Sequence, residues 1–219
     1  MALLIFDCDG VLVDSEVLAH GALVDMLASL GHTMTLDQAM REFAGRDLRD
    51  TLSTAERVLG RPIPEATGRH FGQVLLDRFR RELQPIAGVR EAILALPWRR
   101  CVASSSSPER LRLSLEVTDL APLFGDAVFS AVQVRNGKPA PDLYLFAARS
   151  LGEAPADCIV IEDTPRGVAA GCAAAMRVIG FAGATHATPG LVEDLARAGA
   201  HVVIREMSEL PAVVRRLVA

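Results

Sequence analysis

The chain has 219 residues, half of them hydrophobic, and a formal net charge of −4. That length suits one large domain or one domain carrying an insertion, with apolar residues enough for a sizeable core. No Lys/Arg cluster is interleaved with aromatics, no apolar stretch is long enough to span a membrane, and the N-terminus lacks the basic region and small-residue cleavage site of a signal peptide, which argues against nucleic acid, membrane and export. The expectation is a cytoplasmic protein, a monomer or a small homo-oligomer. Cys8, Cys101, Cys158 and Cys172 form no CxxC pair and read as small buried thiols of a reducing compartment.

The apolar run at residues 2–6, followed by Asp7-Cys8-Asp9-Gly10, reads as a fully buried strand of a parallel sheet that ends in two carboxylates. Residues two apart on a strand share a face, so Asp7 and Asp9 leave the tip side by side and Cys8 points elsewhere. Residues 15–84 read as helical, with segments at 17–30, 36–43, 48–59 and 66–83 separated by Gly31, Gly45, Gly60 and the Pro62/Pro64 turn. From about residue 90 strands alternate with helices. The strands fall at 100–103, 127–130, 159–162, 177–180 and 201–204, and the helices at 89–96, 108–117, 142–151, 167–175, 191–198 and 208–217. Such alternation predicts an α/β fold with a doubly wound parallel sheet. Residues 1–14 and 88–219 then form the sheet domain, and 15–87 are a helical insertion with hinges at 13–16 and 84–88.

Three further segments carry chemistry. Ser104 ends a strand, Ser105 and Ser106 follow, and Ser107-Pro108-Glu109 reads as an N-cap, a first helical Pro and a first-turn acid. Strand tip, hydroxyls and helix N-terminus together make an anion site, with Ser104 the phosphate ligand and Ser107 only a cap. Ile161-Glu162-Asp163-Thr164-Pro165 repeats the opening pattern, an apolar strand running into acids and a capped helix. Asp163 alone could serve the helix dipole. That does not explain why two of the most apolar strands both end in acids. Lys138 is the only Lys among 23 Lys and Arg, which points to a need for a compact cation. Asp7, Asp9, Glu162 and Asp163 against one Lys would make a pocket that repels phosphate. A Mg²⁺ ion and one proton would bring it to neutrality, and Mg²⁺ prefers oxygen ligands of this kind.

These four segments, in this order, resemble the motifs of the haloacid dehalogenase superfamily of aspartate-nucleophile phosphotransferases. Asp7-Cys8-Asp9-Gly10-Val11-Leu12-Val13-Asp14-Ser15 is similar to the first motif, Ser104 to the second, Lys138-Pro139 to the third and Glu162-Asp163 to the fourth. The helical insertion is similar to the small cap of the β-phosphoglucomutase-like branch. The resemblance implies that Asp7 attacks phosphorus and forms an aspartyl-phosphate. It implies that Asp9 is the acid and base, its pKa raised by its carboxylate neighbours. Ser104 and Lys138 would hold the phosphoryl group beside Ser105. Mg²⁺ would sit on Asp7, the Asp9 carbonyl and Asp163, with Glu162 either a ligand or behind the ligands.

Departures separate the branches. Asp9 argues against dehalogenation, and a cap without Lys argues against Schiff-base phosphonate chemistry. The mutase Arg falls on Leu48 and the mutase His on Ala19, with His20 one step off. A mutase must hold a second phosphate, so these losses point to a phosphatase, with Arg46 and Arg49 left as candidate grips on the substrate. Asp14-Ser15-Glu16 and Phe43-x-Gly45 are similar to bacterial sugar-phosphate phosphatases, the 6-phosphogluconate phosphatase type among them. The implied substrate is a small phosphorylated sugar or sugar acid. A phosphosugar mutase and a non-catalytic phosphometabolite-binding protein remain as alternatives.

Overall fold

The computed structural model describes residues 2–43, 45, 46 and 48–218. Six strands, β1 (Leu3–Phe6), β2 (Arg99–Ser104), β3 (Val128–Ser130), β4 (Cys158–Glu162), β5 (Arg177–Phe181) and β6 (Val202–Ile204), form one sheet in the order β3-β2-β1-β4-β5-β6. Every pairing is parallel. The order reverses at β1, so the ends of β1, β2 and β4 border the crevice where open α/β sheets take ligands. Phe6 is level with Val102 on β2 and Ile161 on β4, which brings Asp7, Ser104 and Glu162 to one rim.

Buried parallel strands read as unbroken apolar runs because helices cover both faces. Leu4 and Phe6 of β1 join one core with α5 (Val89–Leu94), α6 (Pro108–Val117) and α11 (Leu210–Val218), and Leu3 and Ile5 join another with α8 (Asp142–Ser150), α9 (Pro165–Ala173) and α10 (Leu191–Arg197). A four-residue helix, α7 (Ala121–Phe124), lies before β3. The sequence reading did not include it, since so short a turn carries no periodicity. Cys8, Cys101 and Cys158 are buried free thiols, whereas Cys172 is half-exposed, because it lies near the open end of α9.

Between β1 and α5 lie α1 (Glu16–Ser29), α2 (Leu36–Phe43), α3 (Leu48–Leu59) and α4 (Glu65–Glu82), the helical insertion. α1 packs on α2 and α4 through Leu23, Leu27, Phe43, Phe71, Leu75 and Phe79. The segments read as hinges lie side by side. Asp14 N–H donates to the Gln84 carbonyl at 3.0 Å, and Ile86 N–H to that of Leu12 at 2.9 Å. α4 also packs on α6, so the insertion leans over the rim of the sheet.

Two glycines are fixed by close approach. Gly10 has φ +75°, and a Cβ there would collide with the Asp163 carboxylate. Gly167 in α9 sits against Glu162, whose carboxylate a Cβ would also strike. Gly72, inside α4, has open space instead. We therefore expect Gly167→Ala to destabilise by roughly 1–3 kcal/mol through overpacking. Gly72→Ala should stabilise by roughly 0.5–1 kcal/mol through helix propensity. Urea midpoints of the two variants check the opposite signs.

Candidate active site

Asp7 leaves the tip of β1, its N–H donating to the Ile161 carbonyl at 3.0 Å, and its side chain is buried. Lys138 reaches in from the segment before α8 and is buried as well. Its Nζ lies 3.1 Å from Asp7 Oδ1 and 2.7 Å from Glu162 Oε1, and 5.0 Å from the Tyr144 ring centroid. Burial works against the ammonium, but Asp7 and Glu162 outweigh it and hold the Lys138 pKa well up. The three residues that the sequence places far apart therefore meet at the switch point.

Glu162 is fully buried and its oxygens are filled. Oε1 accepts from Lys138 Nζ at 2.7 Å and Tyr144 Oη at 3.1 Å; Oε2 accepts from Thr164 N at 2.7 Å and Thr164 Oγ1 at 2.9 Å. A carboxylate has about four acceptor sites, so none is left over. Burial raises its pKa, yet Lys138 and Thr164 bring it below the usual value. Thr164 also caps α9, accepting from Gly167 N–H at 3.0 Å.

Asp7, Glu162 and Asp163 offer carboxylate oxygens within 4.8 Å of one another. Asp163 Oδ1 is buried without a hydrogen-bond partner, and Asp7 Oδ1 is met only by the Lys138 ammonium 3.1 Å away. Burial pushes the Asp7 pKa well up, against the pull of Lys138 and with Glu162, Asp163 and Asp9 adding to the rise. Burial likewise lifts Asp163 to about 7, although His186 Nε2 stands 3.1 Å from its Oδ2 and opposes the rise. Two buried carboxyls that resist ionising, one with a bare oxygen and one with an oxygen met only by Lys138, fit a hard divalent cation. Glu162, already saturated, fits instead the task of fixing Lys138.

Asp9 departs from the sequence reading. Its carboxylate accepts from Ser15 Oγ and Arg110 Nη2 on Oδ1, at 2.5 and 2.7 Å, and from Ser106 Oγ on Oδ2 at 2.6 Å. Burial raises its pKa, but Arg110 and the two hydroxyls outweigh that, so the net shift is downward. The expected rise from neighbouring carboxylates is therefore corrected, because a cation and two hydroxyls face the group. Three of the carboxylate's roughly four acceptor sites are thereby used, which favours the Asp9 main-chain carbonyl over its side chain as a metal ligand.

The serine turn divides its tasks. Ser104 is buried at the tip of β2, its Oγ accepting from Ser106 N–H at 3.1 Å, and Ser105 is half-buried beside it. Ser107 caps α6, accepting from Arg110 N–H at 3.3 Å. Sequence reasoning missed Ser106, Arg110, Tyr144 and His186. The four-serine run was visible, but nothing in it singled out Ser106, and the other three rest on contacts between distant segments.

A small cavity of about 40 Å³ lies among the helices of the insertion, walled by Glu16, His20, Phe43, Arg46, Leu48, Thr51 and Phe71 among others, with Arg110 of the sheet domain at its edge. That volume admits only a few water molecules, well short of a sugar phosphate. Arg46 and Leu48 face it, while Arg49 is exposed on α3 and does not line it, so a grip on substrate from this segment falls to Arg46. His20 does line the wall, one helical position from the Ala19 expected to take the place of a mutase His.

Residues 1–175 match the family of haloacid dehalogenase-like hydrolases. The chain belongs to that family. It is 29% identical over 185 residues to 6-phosphogluconate phosphatase of Escherichia coli K12, covering 84% of each chain. It is 35% identical over 182 residues to hexitol phosphatase B of the same strain, covering 80% of this chain and 81% of the relative. Its fold matches a haloacid dehalogenase-like protein of unknown function from Agrobacterium tumefaciens with a TM-score of 0.87 and 35% identity over the whole of both chains. The family assignment makes the chain an enzyme of the hydrolase class. Among the described residues no helix is long and apolar enough to cross a membrane.

The incompletely partnered carboxyls of Asp7 and Asp163 lead to a measurable expectation. Mg²⁺ should raise the melting temperature of the wild type, since an ion bound only by the folded state stabilises by about 2.7 kcal/mol at a hundredfold excess over its Kd. Asp163→Asn should abolish that rise. Glu162→Gln should lower the starting stability and keep the rise, and thermal melts with and without Mg²⁺ separate the two.

Proposed function

We propose that this hydrolase is a Mg²⁺-dependent phosphatase that releases phosphate from a small phosphorylated sugar or sugar acid through an aspartyl-phosphate. The observation that carries the reading is the convergence of Asp7, Lys138 and Asp163, with Asp9 adjacent, at the switch point of the sheet. The names of the relatives at 29% and 35% identity support the phosphorylated-carbohydrate class.

In this reading Asp7 Oδ attacks phosphorus, and the bond from phosphorus to the leaving oxygen breaks. Asp9, which Arg110, Ser15 and Ser106 hold ionised in this structure, must take up a proton and then gives it to that oxygen. Water then attacks the phosphorus of the aspartyl-phosphate, Asp9 takes a proton from it, and phosphate leaves with Asp7 restored. Lys138, Ser104 and Ser105 hold the phosphoryl oxygens, and Glu162 with Tyr144 keeps Lys138 in place. Asp7, Asp163 and the Asp9 carbonyl would hold Mg²⁺, which supplies charge neutralisation for the transferring group.

Residues 15–87 act as the cap, closing over the leaving group and excluding water, and residues 1–14 and 88–219 are the catalytic core. Leu48 stands at the position of the mutase Arg, which favours hydrolysis over mutase transfer, with Arg46 the remaining cation of that segment in the cavity wall. A panel of phosphorylated sugars, polyols and sugar acids, scored for released phosphate, tests the proposal. The wild type should turn over at least one member, and Asp7→Asn should release none while keeping its thermal transition. Phosphate release by Asp7→Asn at near the wild-type rate would contradict it.

A further inference from the structure

Arg110 stands outside every motif of the sequence and yet occupies the seam of the molecule. It lies in the first turn of α6, three residues after the Ser107 cap. Its Nη2 donates to Asp9 Oδ1 at 2.7 Å. Its guanidinium carbon lies 4.9 Å from the ring centroid of Phe79, which belongs to α4 of the insertion. Its side chain also lines the cavity beside Glu16, His20 and Phe43.

Counting acceptor sites shows what this grip does to Asp9. A carboxylate has about two sites per oxygen. On Oδ1, Ser15 and Arg110 fill both; on Oδ2, Ser106 fills one. The remaining site is on Oδ2, so a proton can arrive there without disturbing the contacts on Oδ1. A guanidinium seated on an aromatic face loses little further freedom in holding a carboxylate. Ser15 and Ser106 are short hydroxyls; Ser15 ties Asp9 to the base of the insertion, whereas Arg110 reaches its helix α4 through Phe79.

We propose that Arg110 is the positioning residue of the acid–base group: it fixes Asp9 with the free site of Oδ2 available to take the proton of the attacking water, and through Phe79 it ties that alignment to the seating of the insertion. This rests on the phosphatase reading above. The balance is simple. Water's oxygen bonds to the phosphorus of the aspartyl-phosphate, the bond from phosphorus to Asp7 breaks, and the proton goes to Asp9 Oδ2. Arg110 contributes no proton and touches no reacting atom.

The second step can be isolated with p-nitrophenyl phosphate, whose leaving group departs without a proton. Rapid mixing with enzyme in excess Mg²⁺ reads phenolate formation first and steady turnover afterwards. For Arg110→Met the first phase should stay within about threefold of wild type. Steady turnover should fall at least about thirtyfold, with phosphoenzyme accumulating in acid-quenched samples. Arg110→Lys, which keeps the charge but not the planar fork, should recover part of the steady rate; it also serves if the Met variant lacks a thermal transition.

Equal losses in both phases, or steady turnover of the Met variant within threefold of wild type, would overturn the inference. If Lys is the only folded variant, turnover indistinguishable from wild type would do the same. Absence of phenolate from the wild type itself would overturn the phosphatase reading, and this inference with it.

Discussion

Everything at this site follows from a charge imbalance that the fold buries. Asp7, Glu162 and Asp163 sit at the ends of two adjacent strands with Lys138 as the cation among them, and all four are buried. Carboxylates in such a place are costly unless paired. The structure resolves part of the cost by assigning Lys138 to Glu162, whose four acceptor sites are all used. What remains is concentrated on Asp7, which shares Lys138 with Glu162, and on Asp163, whose Oδ1 has no hydrogen-bond partner. A site left short of positive charge in this way suits a divalent cation together with a substrate whose own charge changes during reaction.

The backbone is shaped to permit this crowding. The reversal of strand order at β1 puts three strand ends on one crevice. Gly10 lets the loop after β1 turn directly beneath the Asp163 carboxylate, and Gly167 lets α9 start on top of Glu162. Thr164 links the two levels, holding Glu162 with its hydroxyl while capping the helix with the same oxygen. Polar satisfaction and chain geometry are therefore coupled: residues that look structural are what keep the reactive carboxylates where they are. The insertion then adds the wall of the cavity without adding to the charged cluster itself, apart from Ser15 at its base.

Much of this was legible because strong local signals and topology agreed. Apolar runs ending in acids located β1 and β4, the N-cap and Pro patterns located α6 and α9, and the lone Lys marked position 138. The β and α alternation implied the doubly wound sheet. Side-chain partners were not legible. Asp7 and Asp9 share a strand end but face different partners, so reading them as a carboxylate pair gave the wrong sign for Asp9. Arg110 is one of many arginines, and only packing of α6 against α4 and the loop after β1 distinguishes it. Tyr144 and His186 are likewise set by long-range packing. Arg49 followed Arg46 as a candidate by sequence proximity, but helix geometry turns it to the exposed surface.

The central claim is that Asp7 carries the phosphoryl group during turnover, and borohydride trapping tests it most directly. Borohydride reduces an acyl phosphate to the alcohol, so quenching a turning-over sample should convert the aspartate at position 7 to homoserine. Peptide mass spectrometry should find homoserine at position 7, dependent on substrate and Mg²⁺, and unmodified aspartate at positions 9 and 163. Homoserine at another position, or none in a sample that is releasing phosphate, would contradict the account.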